Sequence, residues 1–130
     1  MEQLIQQLKV ILGTNFALYF KAHGFHWNVE GSDFSEYHNF LGELYTSLFN
    51  NTDIIAEKIR MLDSYAPTTL SRMLELSDVQ ESDSIPSALV MLADLKKDND
   101  NYIVHIHSYI GILLNLYVVP INKINFLNSL

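Results

Sequence analysis

GFHWNVEGSDFSEYHNF, residues 24–40, places two of the chain's five histidines, His26 and His38, on either side of the segment NVEGSD. That segment is turn chemistry: Gly31 breaks a helix, and Ser32 or Asp33 is suited to cap the next one. Upstream, Leu4, Leu8, Ile11, Leu12, Leu18, Tyr19 and Ala22 recur at helical spacing, and His26 falls on the same stripe. Downstream, Phe34, His38, Leu41, Tyr45, Leu48, Thr52, Ile55, Ile59 and Leu62 alternate steps of four and three, a heptad seam along one long helix. A short turn between two such helices makes them an antiparallel pair. The two histidines therefore sit at one end of a helical hairpin.

The rest of the chain continues in the same style. DSYAPTT ends the second helix, because Pro67 disfavours helical backbone at Ala66. LSRMLELSDVQESDS is a linker long enough to cross a bundle, with room for one short helix over Leu70 to Leu76. Ser84 reads as a cap with Pro86 in the first turn. A third long helix follows through Leu89, Leu92, Leu95, Tyr102, Ile106, Ile110 and Leu113, and what remains to Leu130 is too short for a fourth of equal length. No strand alternation or internal repeat is present. The expectation is one all-α domain over residues 1–130, built as an antiparallel helical bundle with a shortened or atypical fourth helix.

Composition agrees. A chain of 130 residues with 48% hydrophobic and 18% charged residues suits one domain with a real core. The net charge of −7 repels duplex DNA. Lys96 and Lys97 are the only adjacent basic pair, and MEQLIQQLK is neither a basic arm nor a secretory leader. The absence of cysteine excludes disulfides, thiolate zinc and thiol catalysis, and it fits a reducing compartment, the cytoplasm. Ile103 to Ile121 carries no Asp, Glu, Lys or Arg, but it contains His105, His107, Asn115 and Pro120, so a buried helix is expected and not a membrane span.

A lone histidine on an apolar stripe is most simply a satisfied core residue. Two at the same end of one hairpin, with carboxylates available, suggest a metal. Asp53 and Glu57 are four apart and share a helix face, although Arg60, three residues past Glu57, offers a plain surface ion pair. His38 and Asp53 lie 15 residues apart on one helix, about 22 Å, too far to share an ion within one subunit. If the helix packs antiparallel on its copy across a two-fold axis, His26 and His38 of one subunit face Asp53 and Glu57 of the next. Imidazole and carboxylate together suit Fe(II). A di-iron site within one bundle expects paired Glu-x-x-His motifs, and none occurs. His23 supports a ligand from behind or lies on the surface on this reading, His105 and His107 point to different sides of their helix, and Trp27 is packing that could absorb stray oxidising equivalents.

GFHWNVEG, the following DF and YH, and DIIAEKI together resemble the Dps family of mini-ferritins, over about Leu8 to Leu95 and including LSRMLELS. The resemblance implies four-helix bundles assembled into a hollow dodecamer, which oxidise Fe(II), preferably with hydrogen peroxide, and store ferric mineral. It implies ferroxidase ligands at two-fold interfaces, here His26 and His38 from one subunit and Asp53 and Glu57 from the other.

Two positions depart from the family pattern. An Asp usually stands four residues after the second histidine, where this chain has Gly42. Glu43 is adjacent, but an offset of one residue turns a side chain about 100° around the helix, so it reaches the site only if the helix is locally distorted. No acidic residue follows Asp100, and residues 101–130 are expected to depart from the pattern, for instance through a shifted reading frame. The nucleotides read in the other two frames test that. Two rival functions follow from these observations: a non-catalytic helical assembly with a degraded iron site, and a DNA-binding stress-protection protein.

Overall fold

The computed structural model describes residues 1–116, with side chains to Ile112. Its helices are α1 (Glu2–Asn28), α2 (Phe34–Met61), α3 (Leu70–Leu76) and α4 (Ala88–Leu116). There is no strand among the described residues. The expected all-α class and the short helix at Leu70 to Leu76 are both observed. Residues 117–130, with Pro120 and the end of the apolar run, lie outside the described residues, as does the expected atypical fourth helix. No helix among the described residues is long and apolar enough to cross a membrane.

The predicted stripes meet in one core. Leu8, Leu12, Leu18 and Ala22 of α1 pack with Leu41, Leu48, Ile55 and Ile59 of α2 and with Met91, Leu95, Tyr102 and Ile106 of α4. Burying such side chains supplies the main driving force for folding, about 1.5–3 kcal/mol each. Polar links then fix the register. The Asn15 amide donates to the Leu48 carbonyl at 2.9 Å and to Thr52 Oγ1 at 3.1 Å, while its oxygen accepts from the Tyr102 hydroxyl at 3.1 Å. Burial pushes the Tyr102 phenol strongly up, so it remains a donor. Lys21 Nζ donates to Asp98 at 2.6 Å, to Asp94 at 2.9 Å and to the Gln80 carbonyl at 2.8 Å. Burial raises the Asp98 carboxyl above its ordinary range against the opposing pull of Lys21. These pairings run α2 and α4 each antiparallel to α1.

Gly13 seats α3 on α1. A Cβ at Gly13 would stand 2.6 Å from the Met73 carbonyl oxygen and 2.7 Å from Leu76 Cβ, so only a bare backbone admits this approach. The Thr69 hydroxyl caps α3 by accepting from the Arg72 amide at 3.2 Å.

One local expectation holds for a different reason and two are corrected. First, α2 ends at Met61, just ahead of DSYAPTT as expected, but Pro67 is not what stops it. Asp63 adopts a left-handed φ of 59°, its amide donates to the Arg60 carbonyl and the Ser64 amide to that of Ile59. That pair of bonds closes the helix before proline can act. Second, α4 is not capped by Ser84. It begins at Ala88, where Ser87 receives the Val90 amide on Oγ at 3.4 Å. Pro86 disfavours helix at Ile85 and so delays the start. Third, Leu89 and Phe34, both placed on core stripes, are exposed.

Candidate metal centre

His26 lies in the last turn of α1 and His38 in the second turn of α2. The turn between them brings the two imidazoles into a stack, with ring centroids 3.7 Å apart and 23° between planes. His26 Nδ1 lies 2.7 Å from the His38 carbonyl oxygen, and His38 Nδ1 lies 3.0 Å from the His26 carbonyl oxygen. A carbonyl oxygen only accepts, so each Nδ1 carries its proton and donates. A neutral ring with its proton on Nδ1 leaves the Nε2 lone pair available. Hydrogen bonding of the far ring nitrogen in this manner is how proteins orient metal-binding histidines. No hydrogen bond to either Nε2 exists among the described residues.

Asp53 and Glu57 stand on the exposed side of α2, towards its other end. The plain alternative for Glu57, an ion pair with Arg60, is not formed. Arg60 instead donates to the Ser64 carbonyl at 2.8 Å and lies over the Tyr65 ring at 4.7 Å. Neither carboxylate has an ion-pair or hydrogen-bond partner among the described residues. Within one protomer the two histidines come together and the two carboxylates do not join them. No group of three His, Asp or Glu side chains that could hold a metal ion forms among the described residues.

Gly42 faces the histidine pair. A Cβ there would stand 3.2 Å from His26 Cε1 and 3.4 Å from His26 Nδ1. The His26 ring thus rests against bare backbone at the position where the family resemblance implies an aspartate. Glu43 is exposed, and α2 is continuous α-helix through both positions, without the distortion Glu43 would need.

Next to the pair lies an aromatic cluster that spacing alone does not disclose. Tyr45 stacks flat on His23 at 3.7 Å and 10°, and meets His26 edge-on at 5.0 Å. The Tyr19 hydroxyl lies 3.1 Å from His23 Nδ1. Trp27, largely exposed, lies 4.2 Å from His23. Burial, with the neighbouring His26, lowers the affinity of His23 for a proton. The available signal was the i, i+4 spacing of Tyr19, His23 and Trp27, which puts them on one face of α1. His105 contacts the Asp78 carboxylate, and His107 is exposed on α4, away from the hairpin pair.

Comparison with known proteins identifies the family and the fold. Residues 5–114 match the family model of the ferritin-like domain, a longer stretch than Leu8 to Leu95. A DNA protection during starvation protein of Brevibacillus brevis is 35% identical over 103 residues, covering 75% of this chain and 69% of the relative. The crystal structure of Dps from Staphylococcus aureus superposes with a TM-score of 0.85 at 30% identity, covering 88% of this chain and 77% of that one. An uncharacterized low temperature-induced protein of Nostoc sp. is 31% identical over 108 residues, 82% of this chain, and the chain spans only 60% of that relative's length. The chain belongs to the Dps family of ferritin-like proteins.

Proposed function

We propose that this protein oxidises Fe(II) with hydrogen peroxide and stores the ferric product inside a closed homo-oligomer, a dodecamer by family resemblance. Each site takes His26 and His38 from one subunit and Asp53 and Glu57 from its two-fold neighbour. The observation that carries the reading is the reciprocal pair of Nδ1 hydrogen bonds, which leaves two imidazole lone pairs uncommitted at one end of the hairpin. Asp53 and Glu57, on the exposed side of α2 and without a partner among the described residues, supply the complementary hard oxygen donors. Neutral nitrogen and carboxylate oxygen suit Fe(II), and the carboxylates also offset the charge gained on oxidation to Fe(III). Iron here is substrate and cargo. The protein's own part is to orient two rings with Nε2 facing outward and bring the acids to them through assembly.

Peroxide-driven oxidation of Fe(II), followed by absorbance, tests this in wild type, His38→Ala and Glu57→Ala. Fast oxidation in wild type that falls to background in both variants is the expected result. Gly42 favours a second reading, a non-catalytic helical assembly whose site has lost a ligand. Equal, slow traces for all three proteins would decide for it. DNA binding is disfavoured by the charge of −7, and a salt-sensitive mobility shift would restore it.

A further inference from the structure

The proposed ligand set, two imidazoles and two carboxylates, is sufficient for one iron ion. One Fe(II) yields one electron, whereas hydrogen peroxide needs two to become water. A single electron would release a hydroxyl radical beside the protein. The aromatic cluster next to His26 offers a second donor. Tyr45 meets the His26 ring at 5.0 Å and stacks on His23 at 3.7 Å, with Tyr19 6.3 Å from Tyr45 and 5.6 Å from His23. Tyr19 has what a phenol needs to lose an electron cheaply, a base in hydrogen-bond contact, because its hydroxyl lies 3.1 Å from His23 Nδ1. With the Nε2–H tautomer of His23, the hydroxyl donates to that nitrogen. Tyr45 has no such partner among the described residues, which makes it a stepping stone and Tyr19 the terminus.

We propose that Tyr45, His23 and Tyr19 form a one-electron relay that supplies the second electron of peroxide reduction when a site holds a single iron. The proposal rests on the iron-oxidation reading. Fe(II) gives one electron and becomes Fe(III). Tyr19 gives the other by way of Tyr45, and its hydroxyl proton passes to His23. Hydrogen peroxide takes both electrons and two protons from solvent, its O–O bond breaks, and it leaves as two waters. The products at the relay are a neutral Tyr19 phenoxyl and a His23 imidazolium. The next Fe(II) to arrive is oxidised by the phenoxyl, which recovers its proton from His23. Over two iron ions the sum is two Fe(II), one peroxide and two protons giving two Fe(III) and two waters. No hydroxyl radical is released at either stage.

The test uses the assembled full chain, loaded anaerobically with one Fe(II) per site, mixed with peroxide and freeze-quenched for electron paramagnetic resonance. Wild type is expected to give a phenoxyl signal that Tyr19→Phe loses and Tyr45→Phe weakens, while a spin trap detects hydroxyl radical only in the variants. Both substitutions keep the aromatic ring and its packing. A phenoxyl signal undiminished in Tyr19→Phe, or an indolyl signal from Trp27 in place of the phenoxyl, overturns the proposal.

A second arm omits iron. Azide radicals oxidise exposed Trp27, and transfer of the vacancy to Tyr19 is followed by absorbance. Transfer in wild type and its loss in Tyr19→Phe support the relay even if no iron is oxidised, in which case only the functional reading fails. Normal iron oxidation with no phenoxyl in either arm leaves that reading standing and sinks the relay.

Discussion

At the scale of single residues, the chemistry depends on which nitrogen of a histidine carries the proton. Spacing was enough to bring His26 and His38 to one end of a hairpin. It was not enough to reveal that each ring donates to the other's backbone carbonyl, because that depends on how two helix ends meet in space. Gly42 is the residue on which the two readings of the site divide. Its missing side chain leaves room for the His26 ring, and a methyl group at 3.2 Å from Cε1 forces that ring to move by a few tenths of an ångström. Gly42→Ala is therefore expected to raise stability by up to about 1 kcal/mol, through helix propensity, while weakening iron binding. Denaturant unfolding and an iron titration on the same sample check both halves. A gain in stability with iron binding intact would mean that the ring's position does not matter.

At the scale of elements, the helices were legible from periodicity and their ends only in part. Leu70 to Leu76 was found because LSRMLEL repeats apolar residues over a single pair of turns. DSYAPTT places the end of α2 but points to Pro67 as its cause, because a proline is conspicuous in a sequence, whereas an aspartate that takes a left-handed conformation looks like any other. Asp63 holds that conformation at a cost glycine does not bear. Asp63→Gly should stabilise the protein by about 0.5–1 kcal/mol, measured by denaturant unfolding, since the bonds that close the helix are backbone bonds and survive. Gly13 is the opposite case. Gly13→Ala drives a methyl group into Met73 and Leu76, where backbone must yield, and a loss of about 1–3 kcal/mol is expected despite the better helix propensity of alanine. Thermal melting distinguishes the two outcomes by sign.

At the scale of the whole molecule, one protomer shows large apolar side chains to solvent along α1, α2 and α3, among them Phe20, Trp27, Phe49, Met61 and Leu70. Apolar surface of this kind usually marks contact with a partner. The proposed partner is another copy, because the proposed ligands on α2 are too far apart along one helix to meet otherwise. The distance argument came from sequence alone, since the rise of a helix is constant. The face that pairs could not be read in the same way, because exposed and buried apolar residues look alike in a sequence. His38→Ala and Glu57→Ala, each inactive, are expected to recover activity when denatured together and reassembled. Half of the random pairs combine both variants, and each such pair holds one complete site of its two, so about a quarter of the wild-type rate returns. Recovery of nothing would place the whole site within one subunit or abolish it.

On the proposed site, the mutual donation between His26 and His38 also ties the hairpin turn to the ion. The same imidazoles that offer a lone pair outward are fastened inward to the neighbouring helix, so occupancy of one nitrogen strengthens the bond made by the other. Cargo and turn then share one thermodynamic cycle: whatever factor the ion contributes to closing residues 29–33, a loosened turn takes from its affinity. Under that proposal, a segment with no ligand of its own becomes a dial on how tightly iron is held.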